Sequence, residues 1–282
     1  MPLRKHGQHL EELYRRLNRR EYVHPDPMEV LYNYDDPADR EVAGLLASCL
    51  AYGRVKQILR SVQTVLQIMG ESPSRYVRDG KAEKFARDFA GFKHRFADGK
   101  HLAALMTGLG KMVRRQGAIE ACFTGVRTGD SDSLMAAITA MVRQLSPDGC
   151  CGHLLPDPAA GSACKRLHLY LRWMVRRDAV DVGHWRAMGS ESLIVPLDTH
   201  MHRLGRALGA TSRVAADFRT ALEVTQAFCK VAPDDPVRYD FCLTRLGMNP
   251  GTGLDEFMAE IHQSSAPTRR RKAPATRRKA GG

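Results

Sequence analysis

The sequence predicts an all-α protein. Apolar residues recur at i, i+3, i+4 and i+7 along most of the chain, the spacing that puts them on one face of a helix. Proline, glycine and aspartate punctuate these runs where helices start and stop. A single run reads as a strand, Leu193-Ile194-Val195, and it is short and followed directly by Pro196. The first helix carries Leu10, Leu13, Tyr14 and Leu17. Asp36-Pro37 opens the second, which buries Val42, Leu45, Leu46, Cys49 and Leu50 before Gly53. Val55, Ile58, Leu59, Val62, Leu66 and Met69 mark a third, stopped by Gly70. Further helices run through Leu102 to Val113 and Leu134 to Leu145, then over 163–177 and 199–208. Phe218, Leu222, Thr225 and Phe228 define one ending near Ala232, and Asp235-Pro236 opens another ending near Gly247. Leu254, Phe257, Met258 and Ile261 make the last, for about ten helices in all.

Composition narrows the setting. Hydrophobic residues are 43% and charged residues 26% of the chain, ordinary for a soluble globular protein. No apolar run approaches the roughly 20 residues that cross a bilayer, and Met1-Pro2-Leu3-Arg4-Lys5-His6 is not an apolar signal core. A cytoplasmic, nucleoid-associated monomer with no membrane contact is expected. Seven cysteines without a C-x-x-C pair fit reduced thiols. Cys150 and Cys151 precede His153, but adjacent cysteines diverge and no second ligand pair follows, so no metal is expected. The net charge is +12, and Arg269, Arg270, Arg271, Lys272, Arg277, Arg278 and Lys279 concentrate part of it near the end. Residues 1–262 therefore read as the helical body and 263–282 as a disordered basic tail suited to phosphate attraction.

Two segments carry candidate chemistry. Pro156, Pro158 and Gly161 forbid helix, and Ser162 is a good N-cap for the helix that follows. Lys165 would then be the third helical residue, where the positive end of the helix opposes an ammonium and favours a nucleophilic amine. Asp198 stands before a helix burying Met201, Leu204 and Leu208 and reads as its N-cap, held rigid and ionised by backbone donors. His200 and His202 sit two apart and do not share a helical face as zinc ligands would.

Taken together, Gly161-Ser162-Ala163-Cys164-Lys165 and Val195-Pro196-Leu197-Asp198-Thr199-His200-Met201 resemble the hairpin and catalytic segments of the 8-oxoguanine DNA glycosylases, in the helix-hairpin-helix superfamily. The 33 positions between Lys165 and Asp198 are closer to the archaeal members, which carry an insertion there; here it holds Asp178, Asp181, Gly183, His184 and Trp185. The chain as a whole also resembles an uncharacterised bacterial family related to these enzymes. Glu41 to Ser48 is similar to an early superfamily helix, and Gly91-Phe92-Lys93-His94-Arg95-Phe96 to a G-Y-R-x-R-Y segment. This chain departs from the family's G-x-G hairpin, having Gly161-Ser162-Ala163, and lacks the four-cysteine iron–sulfur loop of endonuclease III relatives.

The resemblance implies a two-lobed helix-hairpin-helix fold, with hairpin and catalytic segments about 154–209. It implies Lys165 as nucleophile and Asp198 as the aspartate that assists its deprotonation and stabilises charge at the sugar. Its partner would be duplex DNA containing a damaged base, an oxidised purine such as 8-oxoguanine, with no cofactor. Backbone groups from Gly161, Ser162, Ala163 and Cys164 would hold a phosphate, with Arg166, His200, Arg203 and Arg95 as further contacts. Phe92, Trp185 or Met201 would face the base, whereas Trp173 lies mid-helix and is expected in the core. The alternatives are a non-catalytic nucleic-acid binder on the same scaffold, or a helical interaction protein whose basic tail alone touches nucleic acid.

Overall fold

The computed structural model describes residues 3–248, 253, 256–259 and 261, and the fold is all-α. Its helices are α1 (Gly7–Leu17), α2 (Pro37–Leu50), α3 (Val55–Met69), α4 (Pro73–Asp79), α5 (Ala82–Asp88), α6 (Gly99–Gln116), α7 (Ser131–Leu145), α8 (Lys165–Val175), α9 (Thr199–Ala207), α10 (Phe218–Cys229) and α11 (Asp240–Met248). Short 3-10 turns link several of them. No helix among the described residues is long and apolar enough to cross a membrane.

Helix α2 is the centre of the packing. Asp36 caps it, its carboxylate accepting from Ala38 N at 2.9 Å, and Pro37 supplies the first residue. Every residue from Glu41 to Leu50 is buried, so α2 is covered all round. It packs against α8, and Gly44 sets how close the two can come. A methyl group on Gly44 would sit 2.9 Å from the Met174 methyl and 3.4 Å from the Tyr170 ring. The opposite edge of α8 carries charge instead of hydrocarbon. Arg172 donates to Asp181 at 2.9 Å and to Asp240 at 2.7 Å, and all three are buried. Arg176 reaches Asp181, Asp178 and Asp235, the last two at 2.9 Å.

Several sequence expectations need correction. The Leu193–Val195 run is extended and buried but pairs with no strand; Val195 N donates to the Thr225 hydroxyl at 3.0 Å instead. The strands among the described residues are β1 (Lys93–His94) and β2 (Ala97–Asp98), a two-stranded antiparallel hairpin. Helices α4 and α5, seven residues each, are too short to show a full apolar period. Asp235 does not open a helix, because its carboxylate is committed to Arg176; α11 begins at Asp240. The last expected helix lies partly, and the tail 263–282 wholly, outside the described residues.

Ser162 is not the cap of α8. It forms a bridge with Asp217, and Phe218 N donates to Gly161 O at 3.2 Å, which ties the hairpin to the start of α10. The Ser162 hydroxyl accepts from Cys164 N at 3.2 Å. Cys164 then turns into the helix with φ 44 and ψ 35, a left-handed conformation uncommon outside glycine. Lys165 is therefore the first residue of α8, not the third.

Two stability outcomes follow. Replacing Arg172 with methionine leaves Asp240 and Asp181 short of a buried cation, and a loss of about 3–5 kcal/mol is expected in urea denaturation at neutral pH. His168 is fully buried against the Phe218 ring, stacked at 6.4 Å, and burial pushes its imidazole down from 6.5 to about 4. The unfolded chain binds a proton there that the folded one refuses, so stability falls as pH drops from 6.5 toward 4. That contribution amounts to about 3 kcal/mol at full protonation of the unfolded state. Urea midpoints between pH 4 and 7 should show a flatter pH dependence for His168→Leu than for wild type; parallel curves would refute the assignment.

Candidate functional site

The segment ahead of α8 is a run of tight turns. Asp157 caps the 3-10 turn Pro158–Ala160, its carboxylate accepting from Ala159 N at 2.9 Å. Gly161 follows with φ +73, a value that suits glycine. Gly161 and Ser162 are exposed, while Ala163 and Cys164 are buried and hold the hairpin to the body. Lys165 emerges from this elbow half-exposed, at the positive end of α8.

Asp198 arrives from the other side. The extended segment Leu193–Leu197 is buried, and Asp198 caps α9 by accepting from Met201 N at 2.8 Å through Oδ1. Its second oxygen, Oδ2, lies 3.2 Å from Lys165 Nζ. The two residues picked from the sequence therefore meet. Burial alone would raise the Asp198 carboxyl, but the Lys165 charge and the Met201 N–H outweigh it and leave it below the usual range.

The pair opens into a cleft of about 1290 Å³. Tyr52, Ile58, His153, Pro156, Leu169, Phe241 and Thr244 are among the residues that line it. Arg172 and Asp240 of the buried ion network also line it. Lys165, Leu169 and Arg172 are spaced i, i+4, i+7 and so share one face of α8.

Other sequence candidates are placed differently. Arg166 donates to the carbonyls of Cys49 at 2.5 Å, Leu154 at 3.0 Å and His153 at 2.6 Å, with its guanidinium 4.9 Å from the Tyr52 ring. It is a strut between segments, not a spare phosphate ligand. His200 lines the cleft, but its Nε2 is 3.2 Å from Leu243 O, which joins α9 to α11. Arg203 is exposed on α9, and Arg95 is exposed in the β1–β2 turn.

Met201 faces the core, 1% exposed. Trp185 is also core: its Nε1 donates to Glu41 Oε1 at 2.6 Å, and its ring packs on Phe123 and Tyr170. Glu41 gathers Ile119 N and Glu120 N as well, so the early helix segment serves as a buried clamp. Phe92 packs on the core and does not line the cleft. Trp173 is fully buried, as its mid-helix position predicts. Asp240, Arg172, Phe241 and Tyr52 were not singled out from the sequence, where each reads as an ordinary member of a helix or its end.

Residues 26–249 match the model of the family described as protein of unknown function (DUF2400). The chain belongs to that family. The match takes in α2 through α11 up to residue 249, and with them Lys165, Asp198, Arg172 and Asp240. Comparison with curated proteins and with solved structures gives no match.

The cap and the charge of Asp198 can be separated. Asn also caps helices, so Asp198→Asn should keep stability to within about 1 kcal/mol, while Asp198→Ala loses roughly that amount from the missing cap. Thermal unfolding of the two variants against wild type checks the order; an Asn variant as unstable as the Ala variant would contradict the capping account.

Proposed function

We propose that this protein is a base-excision DNA glycosylase with abasic-site lyase activity, acting on duplex DNA that contains an oxidised purine, 8-oxoguanine first by resemblance. The observation that carries this reading is the 3.2 Å approach of Lys165 Nζ to Asp198 Oδ2 in the lining of one cleft. An amine nucleophile and a fixed carboxylate are what displacement of a base from its sugar requires. A cleft of about 1290 Å³ has room for an extruded nucleotide, which such chemistry needs because the reacting bond is shielded inside the duplex.

In this mechanism the neutral amine of Lys165 attacks C1′ of the damaged nucleotide. The bond from C1′ to the base breaks, its electron pair leaves on the base, and the base takes up a proton. The new C–N nitrogen passes a proton to O4′ as the C1′–O4′ bond breaks, and the opened sugar is joined to Lys165 as a Schiff base. Removal of a proton from C2′ then expels the 3′ phosphate and nicks the strand. Asp198 has a narrower task than the resemblance implies. A carboxyl held below its usual range is a weak proton acceptor, so it serves best as a fixed negative charge beside the cationic sugar. Exposed Gly161 and Ser162 in the hairpin are the part of the segment that can approach a backbone phosphate.

Sodium borohydride reduces a Schiff base to a stable amine. Incubated with duplexes bearing 8-oxoguanine and other damaged bases, wild-type protein should yield a covalent protein–DNA adduct, and Lys165→Ala should yield none. The variant should fold normally, because a partly exposed ion pair contributes only about 0–1 kcal/mol. No adduct on any damaged duplex would sink the proposal; salt-sensitive duplex binding without adduct would point to a non-catalytic binder.

A further inference from the structure

The ion network under the cleft has more carboxylates than cations. Arg172 and Arg176 face Asp178, Asp181, Asp235 and Asp240, two guanidinium groups for four acids. One acid can therefore take up a proton without leaving a buried cation unpaired. Asp240 is the member that reaches the cleft. Arg172 Nη1 donates to its Oδ2 at 2.7 Å, whereas Oδ1 accepts no hydrogen bond among the described residues and is not sealed from the cleft. When Asp240 is protonated, Arg172 keeps both of its bonds to Asp181, at 2.9 and 3.2 Å.

The charged groups around Asp240 are Arg172 and Lys165 from α8, Asp198 and His200 from the start of α9, Arg245 on its own helix, and Asp26 paired with Arg245. Burial raises the Asp240 carboxyl, and the opposing pull of Arg172 does not cancel that rise. Asp198, which lines the same cleft, is shifted the other way.

Resting on the glycosylase reading, we propose that Asp240 is a further catalytic residue, the acid that gives a proton to the departing base. Asp240 enters the step as the neutral acid, its proton taken from solvent in the cleft, and Lys165 attacks as the neutral amine. As the Lys165 nitrogen bonds to C1′, the bond to the base breaks and its electron pair leaves with the base. The Asp240 acid passes its proton to that base and returns to carboxylate. The new C–N nitrogen, carrying two hydrogens and a positive charge, then passes one proton to O4′ as the C1′–O4′ bond breaks, which leaves a protonated Schiff base. Protons and charge balance, and no other reactant is needed.

An abasic site separates proton delivery from everything else, because its aldehyde reacts with Lys165 without expelling a base. Asp240→Asn retains an oxygen for Arg172 and removes one surplus carboxylate, so its fold should hold; Asp240→Glu restores the acid. Borohydride trapping rates are measured for wild type and both variants on a damaged-base duplex and on an abasic-site duplex, from pH 5 to 9. Asp240→Asn should trap the damaged-base duplex about 100-fold more slowly, lose wild type's pH dependence, and trap the abasic duplex within a few-fold of wild type. Asp240→Glu should recover part of the rate. Equal impairment on both duplexes, or none on the damaged base, overturns the role of Asp240 while wild-type trapping keeps the glycosylase reading intact. Wild type that traps nothing on the damaged base overturns both.

Discussion

Arg172 and Arg176 leave α8 on the face that does not touch α2, and the rest of the structure is arranged around where their charges end. Both are nearly sealed from solvent, at 4% and 3% exposure. A buried guanidinium is tolerated only when its hydrogen bonds are met by opposite charge, and here four acids from three places in the chain meet it. Asp178 and Asp181 lie on the turn after α8, Asp235 precedes α11, and Asp240 begins it. One helix thus fixes the turn that follows it and the entry of α11. Tyr14 of α1 joins in, donating to Asp178 at 2.9 Å. Such a network contributes little net stability compared with hydrocarbon of the same volume, but it specifies one arrangement, since any shift would strand a charge.

Because α8 carries both the network and Lys165, the ion pairs also position the site. Seven residues, about two turns, separate Lys165 from Arg172, so the two leave the same helix face roughly 10 Å apart along its axis. The hairpin fixes the start of α8 independently through its ties to Asp217 and Phe218. Asp198 is fixed by α9, whose His200 is joined to Leu243 of α11. Amine and carboxylate therefore belong to helices that share a common partner in α11, through Asp240 in one case and Leu243 in the other. Their approach is a property of the packed helices and not of two side chains meeting by chance at a surface.

Much of this was legible in the sequence where the signal was local. Periodicity located α1, α2, α3, α6 and α7 because each buries one or more faces over at least three turns. Lys165 and Asp198 stood out because turn residues and caps announce helix starts, and the two motifs added their order along the chain. What stayed hidden was pairing over long separations. Arg172 meets Asp240 across 68 residues, and Trp185 meets Glu41 across 144, and no local pattern encodes either contact. Trp185 looked equally suited to a base pocket and a core, and a buried acceptor for its N–H decided for the core. Arg166 looked like a phosphate ligand because it follows Lys165, yet three backbone carbonyls absorb its donors. Ser162 had the right chemistry for a cap and the wrong backbone, since its bridge to Asp217 turns the chain before the helix starts.

The cleft places two carboxylates of opposite character near one amine. Asp198 is held low by a lysine and a backbone N–H, so it is charged under any condition in which the protein is folded near neutrality. Asp240 is raised by burial within a network already rich in acid. Environments that push two like groups apart divide labour between them: one remains an anion, and the other exchanges protons. A reaction that builds positive charge on a sugar while negative charge leaves on a base has use for both, and in that order. Asp198 is 31% exposed and Asp240 4% exposed on the same cleft, so on the proposed reading the anion would face the sugar and the acid the base. The depth of each carboxylate, set by a helix cap in one case and by Arg172 in the other, is what connects the fold to the chemistry.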